Sequence, residues 1–187
     1  MSLTLSVFLF PGLLSCKKIR AAAKFYVLRQ PLYYYYGVNK HKMEKKMFGV
    51  FEHKVLLPAH PIVRGFDEIF LAPHSRHTEV YEDEVSAAFG LRIVAQSDKA
   101  GVYLISDDVN SRFFITGHCE YDYDTLAKEY FRDKEKGLPI EVPYNYFPND
   151  DPTKTPKNVW RGHAHLLFSN WLNYFVYQAT PYDIDKI

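Results

Sequence analysis

Cysteine is scarce: two residues in 187, Cys16 and Cys119, too far apart for a CxxC pair and too few for a disulfide framework. That argues against a disulfide scaffold or a zinc module, and a reducing cytoplasm is the simpler setting. Net charge is scarce as well. With 23 basic against 22 acidic residues the formal charge is +1, so no overall field gathers nucleic acid or anionic lipid, and neither is expected as a partner. Long hydrophobic runs are missing. The nearest, Ser2 to Cys16, is too short to span a bilayer, lacks a basic leader and is interrupted by Pro11-Gly12. It reads as a buried strand or a spurious start rather than an export signal, so a cytoplasmic location is expected. No GxxxxGK[ST] or GxGxxG run occurs, which leaves out phosphate-cradling loops of those types.

What is plentiful is aromatic. Phe, Tyr and Trp make up 17% of the chain, with 15 Tyr and 14 Phe, and hydrophobic residues reach 47%. A chain of this length and composition can bury one substantial core, and one domain is the expectation. From Met47 onward, strand-like and helix-like patches alternate as in a mixed α/β domain. Gly49 to Leu56, Glu68 to Ala72, Leu91 to Ser97, Val102 to Ser106 and Arg112 to Thr116 read as strands, the last two joined as a hairpin by Asp107 to Ser111. Asp122 or Asp124 can cap a helix that runs to about Lys136, with Gly137 as its stop. The proline-rich stretch Leu138 to Lys157 reads as a long ordered loop pinned by Tyr144, Tyr146 and Phe147. Trp160, His163, Leu167, Trp171 and Tyr174 or Phe175 then recur at helical spacing. The first 40 residues carry conflicting local signals and no clean period.

Three features could carry chemistry. Thr116-Gly117-His118-Cys119-Glu120 follows a buried strand and precedes a helix cap. There, His118 could act as a general base with Glu120 supporting its imidazolium; the alternative is a turn histidine beside a solvated carboxylate. Ala72 to His77 offers Ser75, Arg76 and two imidazoles in what reads as one loop after a strand, able to grip a polar substrate or simply to form a proline turn. Arg132, on the helix after His118, could pair with a substrate carboxylate or be an ordinary surface arginine. The histidine clusters do not suit a metal: His163-Ala164-His165 would point its rings to different sides of a helix, and no further ligand signature accompanies it.

Taken together, Lys46-Met47-Phe48-Gly49-Val50-Phe51-Glu52-His53, Arg64-Gly65-Phe66-Asp67, Phe70-Leu71-Ala72-Pro73-His74-Ser75-Arg76, Thr116-Gly117-His118 with Glu120-Tyr121-Asp122, Val142 to Pro148 and Asn170 to Tyr174 resemble the homoserine O-acetyl/O-succinyltransferase family, in order and in spacing, over about Leu32 to Ile184. The resemblance implies a class I glutamine-amidotransferase-like three-layer α/β fold, often homodimeric. It implies acyl transfer from acetyl-CoA or succinyl-CoA to L-homoserine in methionine biosynthesis, through an acyl-cysteine and with no further cofactor. His118 would be the base and Glu120 its partner, while Lys46, Ser75 and Arg132 would contact substrate. Phe48 to His53 looks closer to the acetyl-using branch.

One departure matters. The family's nucleophile lies in a Cys-Trp-x-x-Gln turn about a dozen residues before the Tyr-Gly that corresponds to Tyr36-Gly37, and ungapped counting lands on Phe25. A phenyl ring cannot carry a thioester. Cys16 lies nine positions too early and Cys119 falls between the base and its partner, so neither is expected to substitute. Residues 1–31 are therefore expected not to match the family, and 32–187 to be the C-terminal part of a single, N-terminally truncated acyltransferase domain that is inactive by itself. The competing expectation is a non-catalytic remnant that keeps a substrate pocket or dimer surface. A divergent amidotransferase-like hydrolase would also need the missing nucleophile.

Overall fold

The computed structural model describes residues 24–26 and 30–178. Its centre is a six-stranded sheet built from β1 (Lys24–Tyr26), β2 (His41–Val55), β3 (Ile69–Glu79), β4 (Leu91–Ser97), β5 (Gly101–Asp107) and β6 (Arg112–Ile115), in the order β1-β6-β5-β4-β2-β3. Only β1 runs parallel to its neighbour, with Phe25 in register with Phe113; the other pairings are antiparallel. The helices are α1 (Gln30–Tyr36), α2 (Glu82–Ala87), α3 (Thr125–Glu135) and α4 (Arg161–Trp171), the last continuing as a π-helical turn over Leu172–Tyr177.

Strand alternation creates two cores. Along β6, Phe113 and Ile115 face the core shared with Ala164 and Leu167 of α4, while Phe114 faces the one shared with Leu32 of α1 and Val85 of α2. Helices thus cover both faces, which is why β5 and β6 are buried almost throughout. Each fully buried phenylalanine here contributes about 1.5–3 kcal/mol of transfer free energy. A third core lies beside β2, where Phe48 and Val50 meet Leu126 and Tyr130 of α3 together with Tyr146, Phe147 and Trp160.

Most expected elements form. Leu91–Ser97 is a strand with those bounds, the β5–β6 hairpin closes with Asn110 N–H donating to Asp107 Oδ1 at 3.1 Å, and Gly137 ends α3 at φ 66°. The 138–157 stretch is an ordered strap whose backbone lies against β2: Val50 N–H donates to Tyr144 O at 2.8 Å, and Tyr144 N–H to Phe48 O at 3.0 Å. Three readings need correction. Ala72 to His77 is not a loop after a strand but the middle of β3, with Pro73 paired opposite Val50. A proline is tolerated there because β3 is the sheet edge among the described residues. The conflicting first 40 residues include a helix, α1, and the strand expected from Gly49 begins eight residues earlier, at His41. The apolar run from Ser2 to Cys16 lies outside the described residues.

Candidate active site

β6 ends where its backbone must pass over β3. Thr116 N–H donates to Tyr103 O at 3.0 Å, and its hydroxyl donates to Val102 O at 2.6 Å. At Gly117 a Cβ would lie 2.8 Å from the Tyr103 ring and 3.0 Å from both His74 Nε2 and Pro73 O, so only glycine lets the chain turn here. His118 N–H then donates to Pro73 O at 2.8 Å, and Tyr121 N–H to His118 O at 3.1 Å, which closes the turn.

The turn presents His118 and Glu120 together, each about one-fifth exposed, with His118 Nδ1 2.8 Å from Glu120 Oε1. A carboxylate accepts only, so Nδ1 carries the hydrogen and the neutral ring keeps its lone pair on Nε2. That is the tautomer a general base requires. Glu120 Oε2 is buried with no hydrogen-bond partner among the described residues. The imidazole face stacks on Tyr121 at 4.4 Å between centroids, which fixes its plane.

Tyr121 links this pair to the other expected residues. Its hydroxyl donates to Glu129 Oε1 at 3.0 Å; the other Glu129 oxygen accepts from Ser75 Oγ and, at 3.2 Å, from Lys46 Nζ. Burial raises the Glu129 carboxyl, but the hydrogen bonds from Ser75 and Lys46 and the Lys46 charge outweigh it, leaving the group below the usual glutamate range. Burial, then the charge of Glu129, pushes the Tyr121 hydroxyl well up and keeps it a donor. Lys46 also approaches Asp133 at 3.8 Å, and Asp133 accepts from Arg132 Nε at 2.6 Å. His118, Glu120, Ser75, Lys46 and Arg132, drawn from four separate stretches, are thereby joined into one connected cluster.

Three members of that cluster were missed by the sequence reading as site residues: Tyr121, Glu129 and Asp133. Glu129, Arg132 and Asp133 sit at i, i+3 and i+4 on α3, a spacing that marks one helix face. Of the Ala72 to His77 group, only Ser75 joins the site. Strand alternation sends His74 and Arg76 into the interior, where they are 0% and 5% exposed, and leaves His77 at the surface.

Cys119 points away from this cluster into the core of Tyr103 and Phe113. Burial, reinforced by the Glu120 charge, pushes its thiol up to about 12, so it is not a thiolate at neutral pH. Phe25 lies on β1, whose parallel pairing with β6 puts its carboxyl terminus at the same end of the sheet from which His118 emerges. Cys16 lies outside the described residues. Among those residues, no group of three or more His, Cys, Asp or Glu is arranged to hold a metal, and no helix is long and apolar enough to cross a membrane.

Two kinds of likeness bear on this arrangement. In fold, the chain superposes on a glutamine amidotransferase from Thermotoga maritima with a TM-score of 0.56 at 14% identity, over 81% of this chain and 60% of that one. It superposes equally on SMU.1228c, with a TM-score of 0.56 at 12% identity over 82% and 62% of the two chains. The architecture is therefore of the class I glutamine-amidotransferase type. In sequence, it is 56% identical over 156 residues to a homoserine O-acetyltransferase from Bacteroides fragilis, covering 83% of this chain and 51% of the relative. The corresponding enzyme of Petrotoga mobilis is 53% identical, with 83% and 50% covered. The chain spans about half the length of the curated relatives it matches. A family model described as homoserine O-succinyltransferase matches residues 26–182. The residue blocks, the fold and these matches agree, and the chain belongs to the homoserine O-succinyltransferase family.

Proposed function

We propose that this chain carries the homoserine-binding, proton-accepting half of a homoserine O-acyltransferase active site. The observation that carries the reading is the single connected cluster of His118, Glu120, Tyr121, Glu129, Ser75, Lys46 and Arg132. Acyl transfer to an alcohol needs a base for the hydroxyl proton and fixed charges for the rest of the substrate. His118 Nε2 takes the proton of the homoserine hydroxyl as that oxygen attacks an acyl thioester, and Glu120 stabilises the resulting imidazolium. Arg132 faces the substrate carboxylate, while Ser75 and Lys46 hold its polar atoms. The departing cysteine thiolate then recovers a proton, and no cofactor beyond the acyl-CoA co-substrate takes part. Acetyl-CoA is the preferred donor, a reading supported by Phe48 to His53 and by the names of the relatives. The pathway is methionine biosynthesis in the cytoplasm, and the assembly is a homodimer.

The chain by itself does not complete this reaction. The position that aligns with the acyl-carrying cysteine is Phe25, and Cys119 is buried as a neutral thiol. That observation favours the second reading, a substrate-binding remnant without turnover. The deciding experiment incubates purified chain with acetyl-CoA or succinyl-CoA and L-homoserine, following free CoA and intact mass, with homoserine binding measured by calorimetry. Homoserine binding without CoA release is the expected outcome. CoA release with an adduct on Cys16 or Cys119 overturns the missing-nucleophile account, and absence of homoserine binding overturns the site.

A further inference from the structure

Beneath the Gly117–His118 turn lies a histidine pair that the proposed chemistry leaves unused. His53 on β2 and His74 on β3 are both fully buried, with their Nε2 atoms 3.0 Å apart. His74 Nδ1 accepts from Arg76 Nε at 3.1 Å. Arg76 is itself pinned: Nη1 donates to Thr78 O at 2.8 Å, and Nη2 donates to Ala100 O.

The hydrogen positions follow from donor chemistry. A guanidinium only donates, so His74 Nδ1 is the unprotonated nitrogen and its hydrogen is on Nε2. His74 Nε2 therefore donates to His53 Nε2, and His53 carries its hydrogen on Nδ1. The chain of bonds runs one way, from Arg76 through His74 to His53. Both rings have to be neutral for it to hold. The titratable groups packed on the pair are Arg76 from β3, Tyr103 from β5 and, behind Tyr103, Cys119 and Glu120. Burial pushes His53 down to about 3 against an opposing backbone hydrogen bond at Phe51, with the Arg76 charge a smaller push in the same direction as burial, and burial keeps Tyr103 a neutral phenol.

The relay lies under the turn that carries the base. A Cβ at Gly117 would meet His74 Nε2 at 3.0 Å, and the carbonyl of Pro73, the residue before His74, accepts from the His118 amide. A ring flip or the other tautomer at His74 would put a mismatched nitrogen against His53 and disturb the floor under the turn. We infer that His53, His74 and Arg76 form a one-way buried hydrogen-bond relay that positions the His118 turn, making His74 a positioning residue for the base. The purpose assigned to the relay rests on the acyl-transfer reading; the relay itself does not.

The test is a tautomer-sensitive nitrogen–proton NMR spectrum of the histidine rings in the full chain. His74 is expected as the Nε2–H form and His53 as the Nδ1–H form, both unchanged between about pH 5 and 8, where an ordinary imidazole titrates. The opposite tautomer at either ring, or titration of either within that window, overturns the relay without touching the acyltransferase reading. The positioning claim is read from the His118 Nδ1–H resonance, which reports its bond to Glu120. Loss of that resonance in His74→Phe, and its return in His74→Gln, whose amide both accepts and donates, is the expected result. A resonance unchanged in folded His74→Phe overturns the positioning claim. If that variant does not fold, His53→Phe is read the same way. If neither folds, failure of the more conservative His74→Gln to preserve the resonance overturns it.

Discussion

Glu129 accepts hydrogen bonds from Ser75, Lys46 and Tyr121, three groups that the fold brings from β3, β2 and the turn after His118. Its carboxyl is held below the ordinary range, the penalty of burial being outweighed by Ser75 and Lys46. A carboxyl depressed in the folded state contributes stability that is present above its unfolded pKa, about 4.3, and lost as pH falls through the lower folded value. Glu129→Gln should therefore cost about 1.5–3 kcal/mol at neutral pH, the range for hydrogen bonds to a charged group. It should also reduce the loss of stability between about pH 5 and 3. Urea unfolding of both proteins across that range checks both statements, and a wild-type stability profile matched by the variant would sink them. Cys119 gives a second test at this scale. As a buried neutral thiol raised to about 12, it should resist alkylation at neutral pH in the native chain and react fully after denaturation, as read by peptide mass mapping. The role of Glu129 could not be anticipated from sequence, because it is one of several acidic residues on a charged helix; that Cys119 does not serve as nucleophile was expected, but its burial was not.

At the scale of elements, the strap from 138 to 157 is where close packing constrains the chain most sharply. Gly49 has φ 144°, and a Cβ there would lie 2.4 Å from Tyr144 O. Gly49→Ala must push the strap off β2, breaking the two backbone bonds at Tyr144 and loosening Tyr146 and Phe147 from α3. Strain and overpacking together put the cost at about 2–4 kcal/mol. Because α3 carries Glu129 and Arg132, homoserine binding should weaken as well. Denaturant midpoints and calorimetry decide it; unchanged values for both would show that the strap is not held as described. The sequence showed this strap through its prolines and aromatics, and showed β4, the β5–β6 hairpin and α3 through periodicity and turn residues. It did not show β3. Proline followed by polar and charged residues carries the local signal of a turn, whereas this part of β3 is held by pairing with β2, Gly49 opposite His74 and Val50 opposite Pro73, partners too far apart in sequence for any local window to contain.

At the scale of the whole molecule, His118, Glu120, Ser75, Lys46 and Arg132 could be named from sequence because the family blocks carry them, but their connection could not. It runs through Tyr121, Glu129 and Asp133, which become neighbours of the others only once β2, β3 and α3 converge. Phe25 stands on β1, in parallel register with β6, so a cysteine introduced there would occupy the strand beside the one that leads to the proposed base, His118. A thiol alone is not an activated nucleophile: it needs a turn that exposes it, donors for the developing oxyanion and a base within reach. Counting from Phe25, Tyr26 and Arg29 stand where the Cys-Trp-x-x-Gln pattern has Trp and Gln. Phe25→Cys by itself should therefore give no burst of CoA release from acetyl-CoA. Grafting the full pattern, together with the upstream half of a relative, onto residues 30–187 should restore a burst that His118→Ala abolishes. A burst from Phe25→Cys alone would mean that this chain already holds a complete acyl-donor site. A silent graft that folds and binds homoserine would mean that the sheet edge beside β6 is not where the acyl group is carried.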